Sequence, residues 1–198
     1  YGRNKIFQNL DLIINRGEIS MLIGINGSGK TTLLRILSTL TKPDSGTIYI
    51  SDYSISKHAQ EIRKLVGIVT HNHMLYEQLS TYENLKFVGK LYGLNDIDKK
   101  ISELSKLLKL NTVLNKKVRD LSHGFKKRIS IARALIHDPS LLLLDEPESN
   151  LTFFNKTHGP QVFSSTLLPV LNSSASNLSK PYISHIISIS GKLKCRTE

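Results

Sequence analysis

Residues 24–32 read Gly24-Ile25-Asn26-Gly27-Ser28-Gly29-Lys30-Thr31-Thr32, glycines interleaved with small polar groups and closed by an ammonium and two hydroxyls. Gly24, Gly27 and Gly29 adopt positive φ at no steric cost, so successive main-chain N–H groups turn inward around an anion. Lys30 then reaches the β- and γ-phosphates of a nucleotide as a point charge, and the Thr31 hydroxyl is placed to ligate Mg²⁺. A short apolar stretch, Ile19 to Ile23, leads into the loop. Thr32 to Leu40 reads as a helix whose positive end faces the phosphates. The alternative is a glycine-rich turn that matches by accident; a strand before and a helix after weigh against it.

Two further segments could act on such a ligand. Leu141 to Pro147 reads LLLLDEP, an aliphatic strand that ends in adjacent carboxylates. It delivers Asp145 at its carboxyl end, where a carboxylate holds Mg²⁺ directly or through water. Glu146, one residue on, points elsewhere and can orient and deprotonate an attacking water. Between loop and strand, Leu121 to Phe125 reads LSHGF and opens a helix, Lys126 to His137, that Asp138-Pro139 ends. Ser122 is a natural N-cap there, and Gly124 lets the backbone approach an anion. Taken alone, that segment is an ordinary helix cap.

The elements that must hold these groups are those of one α/β domain, for which 198 residues are enough. Lys5 to Ile14 alternates as a half-buried strand pair, and Thr47 to Ile50 and Leu65 to Thr70 read as further strands. Ser80-Thr81-Tyr82-Glu83 is a capping box ahead of an apolar helical stripe, with Gly93 as the stop, and Asp96 caps a second amphipathic helix. Residues 74–118 therefore read as a helical insertion between strands. No apolar run nears the roughly 18 residues that cross a bilayer, so the segment is not itself a channel. A lone Cys195 excludes an internal disulfide and fits a reducing cytosol. The sequence opens on Tyr1 rather than Met, as a truncated or processed terminus would. A net charge of +11 is spread over scattered lysines with no nucleic-acid module, which reads as solvated faces with some leaning toward an anionic membrane surface. From Thr152 on, acidic residues vanish until Glu198 and Pro169 interrupts the most strand-like stretch.

With loop, LSHGF and LLLLDEP in this order, the chain resembles an ABC-transporter ATP-binding subunit from Tyr1 to Leu151. LSHGF is similar to the family's LSGGQ signature, and Ile129 to Pro139 to its usual sequel. The resemblance implies a P-loop NTPase with a RecA-like α/β core, an antiparallel β edge and a helical subdomain. Residues 1–73 and 119–198 would form the core lobe, 74–118 the helical subdomain and 152–198 an atypical carboxyl-terminal segment. It implies ATP and Mg²⁺ as ligands, Tyr1 stacked on adenine, and Thr31, Asp145 and His71 at the metal. Glu146, Lys30 and His71 would serve hydrolysis. A second copy would pair head to tail, with ATP between Gly24–Thr32 of one and Ser122 and Gly124 of the other. Integral-membrane subunits would engage near residues 71–83, holding the chain on the cytoplasmic face of the cell membrane. His71 stands where most members have Gln; it reads either as that sensor or as a plain loop histidine. His71, the run Leu75 to Leu79 and LSHGF look most like haem exporters of cytochrome c biogenesis, with drug, lipid or polysaccharide exporters as the alternative. Asn150 and Thr152 replace the family's Gly and Asp, and the Thr-His pair that touches the γ-phosphate is not found; Asn172 is the candidate for the histidine position, and His185 reads as a strand histidine. A nucleotide-binding, non-hydrolysing protein is therefore the second reading. A metabolic kinase, the third, would need an acceptor site that the sequence does not show.

Overall fold

The computed structural model describes residues 6, 7, 10, 12–14, 18–22, 27–145 and 185–188. In chain order these form β1 (Glu18–Met21), α1 (Lys30–Leu37), β2 (Tyr49–Ile50), β3 (Tyr53–Ser54), α2 (Ala59–Leu65), β4 (Val66–Val69), α3 (Thr81–Leu91), α4 (Ile97–Leu107), α5 (His123–Leu135), β5 (Leu141–Leu144) and β6 (His185–Ser188). Short 3-10 turns at Asn111–Val113 and Val118–Asp120 link α4 to α5. Tyr1, Gly24 to Asn26, Glu146, Asn150, Thr152 and Asn172 lie outside the described residues. Of the expected strand pair at Lys5 to Ile14, the described positions hold one bridge residue, Leu10.

Every residue of β5 is buried, and alternation decides what each meets. Leu142 and Leu144 enter a core with α3, α4 and α5, whose contributions include Leu85, Ile101 and Ile129. Leu141 and Leu143 enter a second core with Leu33, Leu34 and Leu37 of α1 and Ile62 of α2. Four consecutive leucines are what a strand covered on both faces requires. Among the described residues the sheet is parallel, in the order β1-β6-β5-β4, with β2 and β3 as a separate antiparallel pair. Its register aligns Met21, Ser188, Leu144 and Val69 in one row, so the carboxyl ends of all four strands finish together. His185 stands at the other end of that sheet, level with Glu18 and Leu141.

Local chemistry sets the helix ends. At α3 both halves of the capping box form: Ser80 Oγ accepts from Glu83 N–H at 3.2 Å and Glu83 Oε2 from Ser80 N–H at 2.7 Å. Asp96 does stand at the N-cap of α4, but its ψ of 51° departs from the extended cap geometry and its carboxylate makes no cap bond. Ser122 likewise precedes α5 without a side-chain cap bond. Both helices that flank the motifs start early: α1 at Lys30 rather than Thr32, and α5 at His123 rather than Lys126.

The packing of α5 on β4 is tight. A Cβ at Gly67 would lie 2.4 Å from the Ala134 carbonyl oxygen and 2.9 Å from Pro139 Cγ. Beyond the helix, His137 Nε2 donates to the Val66 carbonyl at 3.2 Å while its ring stacks on Tyr92, centroids 3.9 Å apart. Burial is the main reason its pKa falls from 6.5 to about 4.

Two outcomes follow for stability. Gly67→Ala forces the strand from the helix backbone and should cost about 1–3 kcal/mol, read as a lower urea midpoint; an unchanged midpoint would refute the close approach. His137 binds its proton less readily folded, at about 4, than unfolded, at 6.5. The unfolded chain therefore takes up more protons, and stability falls as pH drops through that window. His137→Gln keeps a donor for Val66 and should flatten the stability–pH slope by up to about 1.4 kcal/mol per pH unit. An identical slope in the two proteins would refute the linkage.

Candidate functional site

The aligned carboxyl ends of the sheet bring distant residues together, the usual place for a ligand in an open parallel sheet. The loop that leaves β1 enters α1 through Gly27 at φ 83° and Gly29 at φ 93°. Gly29 is the N-cap of α1, and a Cβ there would meet Ile6 Cγ2 at 2.4 Å and Phe7 Cζ at 2.6 Å, so both conformation and space demand glycine. No side chain caps α1 and no acid stands in its first turn, which leaves its first N–H groups for an anion. Ser28 is exposed, Lys30 and Thr32 half-buried, and Thr31 exposed.

Asp145 follows β5 directly and is buried, at 6% exposure. Its backbone N–H donates to the Val69 carbonyl at 2.8 Å, which fixes it against the end of β4. The Thr31 hydroxyl donates to Asp145 Oδ1 at 3.2 Å across 114 positions of sequence. A hydroxyl and a carboxylate so placed are hard oxygen donors of the kind Mg²⁺ takes, with water and phosphate completing its shell. Among the described residues no group of three or more His, Cys, Asp or Glu gathers, so a caged all-protein metal site is not on offer there. The oxygen pair suits Mg²⁺ held mainly through its nucleotide.

Thr70 and His71 leave the end of β4 beside this pair, with His71 exposed. The signature-like turn lies apart. Ser122 is exposed and Gly124 half-buried in the first turn of α5. No hydrogen bond among the described residues joins either to the phosphate loop. Among the described residues, a Cβ at Gly124 would meet nothing within 4 Å.

Sequence reasoning missed one feature of this region. His73 Nε2 lies 3.2 Å from His123 Nε2, the second residue of the SHG triplet. The pKa of His73 falls from 6.5 to about 4, through burial first and then through the nearby charges of His123, Lys127, Lys126 and His71. Lys127 is itself buried at 3% exposure. The His-x-His spacing at 71–73 was legible, but nothing local points it at a residue fifty positions away.

The sequence profile of the family described as ABC transporter matches residues 7–149. The chain is 37% identical over 150 residues to the ABC transporter ATP-binding protein NatA of Bacillus subtilis, covering 74% of this chain and 61% of NatA. It is 40% identical over 153 residues to the Nod factor export ATP-binding protein I of Cupriavidus metallidurans, covering 76% of this chain and 50% of that protein. The chain thus spans between half and three-fifths of the length of these relatives. Among solved structures, the dimeric post-hydrolysis ATP-binding cassette MJ0796 bound to ADP and Pi superposes with a TM-score of 0.75 at 27% identity, covering 94% of this chain and 80% of that one.

Asp145→Asn keeps the size of the side chain but removes its charge. In calorimetry its nucleotide affinity should differ by no more than about threefold between Mg²⁺ and EDTA, whereas the unaltered protein should bind more tightly with the metal. A wild-type response to Mg²⁺ would remove Asp145 from the metal set.

Proposed function

This chain belongs to the ABC transporter family, and from that premise we propose that it is an ATP-binding and hydrolysing subunit that powers a membrane exporter. The observation that carries the reading is the contact of Thr31 with Asp145 at the mouth of an uncapped, acid-free helix. Gly24 to Thr32 cradle the triphosphate, Lys30 neutralises charge on the β- and γ-phosphates, and Tyr1 stacks on the base. Thr31, Asp145 and His71 form the metal side. Mg²⁺, when bound, supplies positive charge that offsets the charge developing on the transferred phosphoryl group. Glu146 takes the proton of the attacking water as its oxygen adds to the γ-phosphorus and the bond to the β-phosphate oxygen breaks.

A head-to-tail pair completes each site, with Ser122 and Gly124 of one copy on the nucleotide of the other. The open space at Gly124 supports this, because nothing among the described residues requires a glycine there. Loss of the γ-phosphate weakens the pair and shifts it toward an open state. Membrane subunits meet the region of residues 71–83, where Met74 and Tyr76 stand exposed and Tyr76 packs edge-on against Phe87 at 5.2 Å. No helix among the described residues is long and apolar enough to cross a membrane, and docking to those subunits places the chain on the cytoplasmic face.

Two cargo readings stand. Haem export for cytochrome c biogenesis rests on His71, the run Leu75 to Leu79 and LSHGF. The relative named for Nod factor export, at 40% identity, supports a different exported cargo. A non-hydrolysing role has its own support in Asn150 and Thr152, which stand where the family keeps Gly and Asp.

Glu146→Gln should retain ATP binding while turnover drops by about 10²–10⁴-fold, measured as phosphate release with the membrane partner present. Wild-type turnover in the variant would remove Glu146 as the base. ATP binding without any turnover in the unaltered protein would establish the non-hydrolysing reading instead.

A further inference from the structure

Helix α5 is fastened along its length to β4 and the loop that follows it. His73 and His123 face each other through Nε2 atoms 3.2 Å apart, with ring planes at 62°. Ser130 Oγ donates to the His73 carbonyl at 2.9 Å, and Lys126 pairs with Glu77 at 2.9 Å. Arg133 donates to the Ile68 carbonyl at 3.3 Å and touches Met74 Sδ at 3.4 Å. Between them Met74 sits at φ 51°, the left-handed region that a methionine occupies only where its surroundings fix it.

Hydrogen bonding selects the tautomers. At 3.2 Å two N–H groups or two lone pairs would repel, so one ring donates and the other accepts. His73 Nδ1 is buried with no partner among the described residues. A proton there would be an orphaned buried N–H, the rarer defect. His73 therefore carries its proton on Nε2 and donates it, and His123 accepts on Nε2 with its own proton on Nδ1.

The pair closes a line of contacts. Thr31 meets Asp145, Asp145 bonds to Val69, the chain runs on through His71 to His73, and His73 holds the residue between Ser122 and Gly124. We propose that His73 and His123 are positioning residues whose hydrogen bond makes the His71 loop and the Ser122–Gly124 turn move as one. Nucleotide arriving at a copy's own phosphate loop thereby re-aims the turn that this copy offers to the other. The inference rests on the nucleotide reading above and deepens it.

The full chain, labelled with ¹⁵N-histidine, is compared by NMR with and without a magnesium-bound, non-hydrolysable ATP analogue. The spectra should show His73 as the Nε2–H tautomer and His123 as Nδ1–H, with the His123 signals shifting on nucleotide binding. In His73→Leu that shift should vanish although calorimetry still detects binding. Turnover gives a second readout. His73→Leu and His123→Leu should each lower kcat by about fivefold with KM for ATP within about twofold, and the double variant should fall no further than the worse single. His123→Gln, whose side-chain carbonyl still accepts, should recover most of the loss. Binding with an unmoved His123, an equal shift in His73→Leu, additive losses, or a Gln variant no better than Leu would each overturn the positioning role and leave the nucleotide site standing. No nucleotide binding at all would overturn both. Binding without turnover overturns only hydrolysis, and the NMR response then decides the coupling.

Discussion

The parallel register of the sheet is the constraint on which the site depends. Met21, Ser188, Leu144 and Val69 share one row, so the segments that leave β1, β5 and β4 emerge at the same edge. The two-sided burial of β5 holds that register. A slip by one residue would exchange Leu142 and Leu144 for Leu141 and Leu143 between cores of different shape. It would also carry Asp145 about 3.3 Å along the strand, out of reach of a Thr31 hydroxyl now 3.2 Å away. Packing by four leucines thus sets the position of the buried Asp145 carboxylate.

Helix α5 joins that edge to the helical side. Its 13 residues make a rod of about 20 Å, and both ends are fixed by contacts rather than by caps. Near the carboxyl end, Gly67 lets the strand touch the helix backbone and His137 grips the start of β4. At the amino end, His123 holds the loop that leaves β4. Strand β4 and its loop therefore meet α5 twice, and a displacement at one end of the rod is felt at the other.

What was legible in the sequence was what local chemistry writes. The glycines of the phosphate loop, the Ser80–Glu83 box and the leucine run each announce themselves within a few residues, and each has the expected backbone where it is described. Helix starts were less legible. Gly29 caps α1 in a left-handed conformation, so the helix takes in Lys30 and Thr31, which read as loop. Helix α2 went unread because it is short and buries only Ile62, too little for a periodic stripe. Among the described residues β6 lies centrally between β1 and β5, a strand order that depends on pairings no local pattern encodes. The His73–His123 contact was hidden for the same reason. The haem-exporter resemblance is a different case. It rests on a few residues in one loop and one turn, and the relatives compared carry other names.

Gly67 and Gly124 separate what this chain needs for itself from what it needs for something else. At Gly67 a methyl group would collide with a helix carbonyl at 2.4 Å, so the fold itself excludes alanine. At Gly124 the same methyl group would meet nothing among the described residues, in the first turn of a regular helix. A glycine within a helix is less favourable than alanine by roughly 0.5–1 kcal/mol, and here no close approach among the described residues offsets that cost. Its exposed neighbour Ser122, at the N-cap, makes no cap bond. Among the described residues, a hydroxyl that makes no cap bond and a glycine with open space at its Cβ position stand together in one turn. An anion reached by main-chain N–H groups is the partner such a turn fits.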